Sequence, residues 1–177
     1  MSKKIPDQFY KNIFEINYQN LKDKGVKTLF FDLDNTLIPY DVEKLPEEVI
    51  KHLKELEKNF KVLIITNNSH KRTNLAVGDE FMFLAKAKKP FKCGLRKGLD
   101  MTNSKPEEVC GIGDQVMTDV LGSKKMGFYS ILVNPIDINS EGLPTKINRF
   151  RERCTLKRIK RKYPKLYQER LDQFEPR

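Results

Sequence analysis

Histidine, paired cysteine and long apolar runs are what this sequence has least of. His52 and His70 are its only histidines, which gives poor support to histidine-based metal or triad chemistry, and both read as surface residues. Cys93, Cys110 and Cys154 are odd in number and far apart. That fits a reducing compartment better than a disulfide framework, and it lacks the paired spacing of a zinc site. No apolar run approaches the length of a membrane span. The basic start at Met1 is followed by neither an apolar segment nor a small-residue cleavage site, so no signal peptide is read there.

What is present is a lean but blocky chain. Its 177 residues suit one domain with a sizeable core, and the 38% of hydrophobic residues fall in short clusters. The formal charge of +10 is unevenly placed: residues 141–177 hold 12 basic and 5 acidic side chains, a net +7, leaving +3 for the first 140. Such a tail suits an anionic partner, lipid headgroup or nucleic acid, without choosing between them.

The clusters alternate in kind. Apolar strands are predicted at Thr28 to Asp32, Val62 to Ile65, Phe81 to Ala85, Val109 to Ile112 and Tyr129 to Val133. Helical patterns lie between them at Leu45 to Lys58, from Asn68 or Ser69 to Val77, at Phe91 to Met101 and at Gln115 to Lys125. This alternation predicts βαβ units and a parallel sheet covered on both faces. Phe9, Ile13, Ile16 and Leu21 are close to helical spacing ahead of the first strand. A last helix is expected from Thr145 to Tyr163, with Ile147, Phe150 and Cys154 on one stripe and Leu156, Ile159 and Tyr163 on another. Fewer than 30 residues separate Asp34 from the second strand, so no second folded domain fits there.

Function is concentrated where these strands end. The run Leu29 to Phe31 stops in Asp32 and Asp34, and ligand sites in open α/β sheets lie beyond the carboxyl ends of the strands. Two acids there repel unless a cation, a proton or a substrate group accompanies them. Ile65 is followed by Thr66-Asn67-Asn68, the third strand leads into Lys88-Lys89-Pro90, and Ile112 runs into Gly113-Asp114 with Asp119 one turn into the next helix. Singly, these residues could cap a helix or face solvent. Together at one sheet edge they suit phosphoryl transfer: carboxylates for Mg²⁺, a lysine for the transferring charge, and a hydroxyl and amides for the outer oxygens.

Asp32-Leu33-Asp34-Asn35-Thr36-Leu37, then Thr66, Lys89 and the segment from Gly113 to Asp119 resemble, in order, the four motifs of the haloacid dehalogenase (HAD) superfamily. Within it the chain resembles the small IIIA-type, YqeG-like phosphatases, relatives of the mitochondrial phosphatidylglycerophosphate phosphatase. That closer match rests on Pro6-Asp7, Asn12-Ile13-Phe14, Lys88-Lys89-Pro90, Gly113-Asp114-Gln115, Thr118 to Gly122 and Arg149-Phe150.

The resemblance implies an α/β, Rossmann-like three-layer sandwich without a large cap, its five-stranded parallel sheet in the order 3-2-1-4-5. It implies a helical segment at 1–25, a catalytic core at 26–144 and a basic helical extension at 145–177. Asp32 is the implied nucleophile, Asp34 the acid and base, and Thr66, Asn67 and Lys89 the phosphate holders. Asp32, Asp114 and the Asp34 backbone carbonyl are the implied Mg²⁺ ligands, with Asp119 in support. Lys88 competes with Lys89 for the lysine role. The implied substrate is phosphatidylglycerophosphate, and the implied place is the cytoplasm, at the inner face of the cell membrane. Arg149, Arg151, Arg153, Lys157, Arg158, Lys160, Arg161 and Lys162 are the expected membrane or anion contacts, with Phe150, Leu156 and Ile159 adding apolar contact where they are free of the core. A soluble sugar phosphate or nucleotide substrate is the alternative, and a nucleic-acid or ribonucleoprotein binding module using the tail is a further one.

Overall fold

In a computed structural model, which describes residues 3–141 and 143–174, one parallel sheet organises the chain. Its strands are β1 (Gln8–Tyr10), β2 (Thr28–Phe31), β3 (Lys61–Ile65), β4 (Phe83–Leu84), β5 (Val109–Gly113) and β6 (Tyr129–Val133). Their spatial order is β1-β6-β5-β2-β3-β4. The five strands expected from the sequence therefore stand in the order 3-2-1-4-5, and a sixth lies at the edge.

Alternation along the strands builds the two faces. Leu29 and Phe31 of β2 pack into one apolar cluster, while Phe30 between them packs into another with Leu63 and Val109. Helices cover these faces: α1 (Tyr18–Asp23), α2 (Glu47–Glu57), α3 (His70–Val77), α4 (Lys92–Thr102) and α5 (Leu121–Met126). In α2, Pro46 precedes the first turn, Glu47 and Glu48 suit the positive end of the helix, and Val49, Leu53 and Leu56 are buried. Ser69 caps α3 by accepting the Arg72 N–H at 3.2 Å.

The sixth strand corrects the helical reading of the N-terminal segment. Residues near helical spacing fold instead as β1, a 3-10 turn at Ile13–Glu15 and the short α1. β1 has only three half-buried residues, so its own pattern carries no strand signal. Its partner specifies it: Gln8 pairs with Ile131 and Tyr10 with Val133. Asp7 pins the entry, accepting the Ser130 N–H at 2.9 Å and the Lys124 ammonium at 2.7 Å.

The C-terminal region forms α6 (Leu143–Lys162) and α7 (Pro164–Arg170). Residues 1, 2 and 175–177 of the expected terminal segments lie outside the described residues. Leu156 and Ile159 are buried with Ile5, Val116, Val120, Leu132, Leu171 and Phe174. They are core residues, not membrane anchors. Phe150 and Ile147, each 61% exposed, lie outside that core.

Candidate active site at the carboxyl edge of the sheet

The tips of β2, β3 and β5 are neighbours, so their trailing residues meet. Asp32 follows β2, Thr66 and Asn67 follow β3, and Asp114 follows β5. Asp119 sits in a single π turn, Val116–Val120, that precedes α5. Gly113 makes this possible, because a Cβ at that position would collide with the Asp119 side chain. Carboxylate oxygens of Asp32, Asp114 and Asp119 lie within 4.8 Å of one another.

Lys89 joins two of these acids. Its ammonium donates to Asp32 at 2.6 Å and to Asp119 at 2.7 Å, and all three side chains are buried. Asn67 fixes the backbone there in both directions, accepting the Lys89 N–H at 2.6 Å and donating to the Lys89 carbonyl at 2.9 Å. Lys88, its neighbour, is exposed. Of the two candidate lysines, Lys89 is the one beside the acids.

Asp34 occupies a second polar nest. It accepts from Asn68 at 3.2 Å, from Arg72 at 3.3 Å and from the Thr66 hydroxyl at 3.4 Å. Asn68 is visible in sequence as an amide at the strand tip and a helix-cap candidate, whereas Arg72 does not stand out. The signal available was spacing: both lie just beyond a strand tip, four residues apart, at the start of a helix. Asp32, Asp34, Thr66, Asn67 and Lys89 all line an open cleft of about 300 Å³, with Thr145 and Asn148 of α6 on its wall.

The largest correction concerns Arg149. Expected as a surface anion contact, it is 2% exposed and belongs to an internal ion cluster. Its guanidinium binds the Asp114 carboxylate, the Asp114 carbonyl at 2.9 Å, Glu141 at 2.7 Å and Glu152 at 3.0 Å. Glu152 also accepts the Val116 N–H, and Asn35 donates to Glu141 at 2.8 Å. The one acid within the basic run is thus an inward partner of an inward arginine, three residues apart on α6. Arg151, Arg153, Lys157, Arg158, Lys160, Arg161 and Lys162 remain exposed.

Electrostatics follow from this crowding. Burial pushes the Asp32 carboxyl well above its usual range; Lys89 opposes the shift, while Asp119, Asp114 and Asp34 add to it. Burial also raises Asp114 to about 6 against the pull of Arg149, and Glu152 to about 7. Lys89 goes up: desolvation disfavours its charge, but Asp119 and Asp32 outweigh it. Six carboxylates face three cations, Lys89, Arg72 and Arg149. That negative excess and the all-oxygen surroundings fit a hard divalent cation beside the cluster of Asp32, Asp114 and Asp119.

Known proteins share this plan. The family model described as mitochondrial PGP phosphatase matches residues 1–136. The Bacillus subtilis (strain 168) protein named "Probable phosphatase YqeG" is 38% identical over 162 residues, covering 89% of this chain and 92% of that one. Among solved structures, the magnesium-bound HAD hydrolase YfnB from Bacillus subtilis superposes with a TM-score of 0.54 at 14% identity, over 62% of this chain and 87% of its own. A HAD-like family hydrolase from Porphyromonas gingivalis gives 0.54 at 13% identity, over 72% and 99%. At such identities the solved structures speak for the fold alone, α/β and Rossmann-like; among the described residues of this chain only α2 stands between β2 and β3, with no large cap. With fold, acid cluster and family model in agreement, the chain belongs to the haloacid dehalogenase superfamily of hydrolases and, within it, to the PGP phosphatase family, as a HAD-type phosphatase.

Proposed function

We propose that this phosphatase removes the phosphate of phosphatidylglycerophosphate at the cytoplasmic face of a membrane, using Mg²⁺ and an aspartyl-phosphate on Asp32. The observation that carries the chemistry is the buried set in which Lys89 bridges Asp32 and Asp119 while Asp114 stands within 4.8 Å of both. An oxygen of the Asp32 carboxylate attacks phosphorus, and the bond to the leaving oxygen breaks. Asp34 gives its proton to the departing alkoxide. It then takes one from water, which attacks the same phosphorus and releases inorganic phosphate and the restored Asp32.

The remaining side chains hold charge and shape. Lys89 offsets negative charge on the phosphoryl oxygens, and the Thr66 hydroxyl and Asn67 amide bind them. Asp119 keeps the Lys89 ammonium beside Asp32. Asp32, Asp114 and the Asp34 backbone carbonyl would hold Mg²⁺. When bound, the ion would supply positive charge that lets an anionic carboxylate approach an anionic phosphate.

The lipid substrate is supported by the description of the family model and by the open cleft, which has no large cap domain to enclose a small soluble substrate. No helix among the described residues is long and apolar enough to cross a membrane, so any membrane contact of these residues would be peripheral. Turnover of phosphatidylglycerophosphate in vesicles is to be compared with a panel of sugar phosphates and nucleotides, with Asp32→Asn as the blank. The lipid should be the better substrate by kcat/KM. A soluble ester turned over faster than the lipid would move the assignment to a soluble phosphate ester, and activity in the blank would remove Asp32 from its role.

A further inference from the structure

Asp114 follows β5, is fully buried, and is gripped at two points by one side chain of α6. The Arg149 guanidinium donates through Nη1 to the Asp114 carbonyl at 2.9 Å and through Nη2 to its carboxylate oxygen Oδ2. A planar fork that holds backbone and side chain of one residue fixes that side chain's rotamer, which a single bond to the carboxylate would leave free to turn. The other oxygen, Oδ1, accepts from the Thr36 hydroxyl at 3.4 Å, long for such a bond.

The fork is itself aimed. Glu141 accepts from Nε at 3.0 Å and from Nη2 at 2.7 Å, and Glu152 accepts from Nη1 at 3.0 Å. Both acids also reach the loops around the site. Glu152 accepts the Val116 N–H at the head of the π turn that carries Asp119. Asn35, next to Asp34, donates to Glu141 at 2.8 Å and accepts the Asp137 N–H at 3.2 Å. Asp114, Glu141, Arg149 and Glu152 are each at most 4% exposed, so solvent does little to loosen these bonds. The acids offset the guanidinium, which therefore orients Asp114 without setting an uncompensated positive charge beside it.

We propose that Arg149 is a positioning residue of the metal site: it engages Oδ2 of Asp114, leaves Oδ1 for the cation, and thereby sets the affinity for Mg²⁺. The inference rests on the reading of Asp114 as a Mg²⁺ ligand and deepens it by assigning control of that ligand to α6. A carboxylate oriented in advance spares the ion the cost of ordering it, which is what partners behind a metal ligand contribute. The bonds of Arg149 go to Asp114, Glu141 and Glu152, so it acts on the reaction through Asp114 and not on the phosphate. The inference does not depend on which ester the cleft hydrolyses.

The test separates orientation of the ligand from stability of the helix. Mg²⁺ is titrated calorimetrically into the metal-free full chain, and melting temperature is recorded beside it. Arg149→Lys keeps the charge and loses the fork; Glu141→Gln loosens the fork at nearly constant shape. Ile159→Ala loosens α6 on the core without touching the cluster. Arg149→Lys should weaken Mg²⁺ binding by about tenfold or more, as losing a partner behind a metal ligand does. Glu141→Gln should move it the same way by less, and Ile159→Ala should lower the melting temperature while changing Mg²⁺ binding less than about twofold. With p-nitrophenyl phosphate as substrate, the Arg149→Lys defect should appear in the Mg²⁺ concentration needed for half-maximal turnover more than in kcat. Equal weakening by Arg149→Lys and Ile159→Ala would reduce Arg149 to a structural anchor and overturn the proposal. So would wild-type affinity in Arg149→Lys or, where that variant does not fold, in Glu141→Gln. Asp114→Asn distinguishes the two readings: unchanged Mg²⁺ binding there would remove Asp114 as a ligand and the inference with it, whereas weakened binding there beside wild-type affinity in Arg149→Lys would overturn the inference alone.

Discussion

Two buried cations, Lys89 and Arg149, hold opposite sides of one acid cluster, and they do so differently. Lys89 arises from the segment after β4, lines the cleft, and touches Asp32 and Asp119 through one compact ammonium. Arg149 arises from the interior face of α6, does not line the cleft, and spreads its fork over Asp114, Glu141 and Glu152. A point charge at the cleft can turn toward a phosphate, whereas a planar fork with three carboxylates is already spent. The contrast separates a cation that meets substrate from a cation that holds the scaffold beneath a metal ligand.

The sharpest way to break this comparison is to remove the anion that Lys89 serves. Asp32→Asn keeps the shape and loses the nucleophile, so turnover should fall by at least about 10³-fold. Thermal melting should show the fold retained. Lys89→Met should also abolish most turnover. Asp114→Asn acts on the other side of the cluster: its loss should appear as weaker Mg²⁺ binding, with activity partly recovered at high metal concentration.

Arg149→Met should reverse the weighting. It leaves Asp114, Glu141 and Glu152 buried without their counter-ion, a kind of loss that costs about 3–5 kcal/mol of stability. Denaturant unfolding should show that loss in Arg149→Met and a smaller one in Lys89→Met. Equal destabilisation by both would erase the distinction drawn above.

pH provides a finer cut. In metal-free protein, Glu152 at about 7 and Asp114 at about 6 keep their protons where their unfolded counterparts have lost them. With more protons bound in the native state, stability falls as pH rises from the unfolded carboxylate values to about 7, and levels off above. Melting temperatures of chelator-treated protein from pH 4.5 to 8 should show this decline, and Glu152→Gln should flatten its upper part. A rise with pH across that window would contradict the assignment.

How far the sequence could be read follows the same division. The five strands from β2 to β6 announce themselves as largely apolar runs, and chemistry at a parallel sheet's carboxyl edge must follow them closely. Asp32, Thr66, Lys89 and Asp114 were therefore visible as residues after strands. β1 was not, because three half-buried edge residues acquire a strand geometry only from β6. The Arg149 cluster was hidden for another reason. In a run of ten basic residues and one acid from Lys146 to Lys165, nothing local distinguishes the arginine that points inward. Only Glu152 marked it, an isolated acid one helical turn away. Its third partner, Glu141, lies outside the helix altogether.

The smallest expected effect tests whether position, rather than lysine content, makes Lys89 special. Lys88 precedes it directly, carries the same charge in sequence, and is exposed, its side chain forming no hydrogen bond or ion pair among the described residues. Its φ of 56° lies in the left-handed region, which an alanine tolerates no better than a lysine. Lys88→Ala should therefore leave stability within about 0.5 kcal/mol, as surface changes away from special features do. It should leave kcat within about twofold, because an exposed charge is screened from the cleft by solvent. The paired measurement is kcat and KM for Lys88→Ala and Lys89→Ala on the same substrate. A large fall in kcat in the first variant would show that both lysines reach the phosphate, and the single bridging ammonium would no longer account for the site.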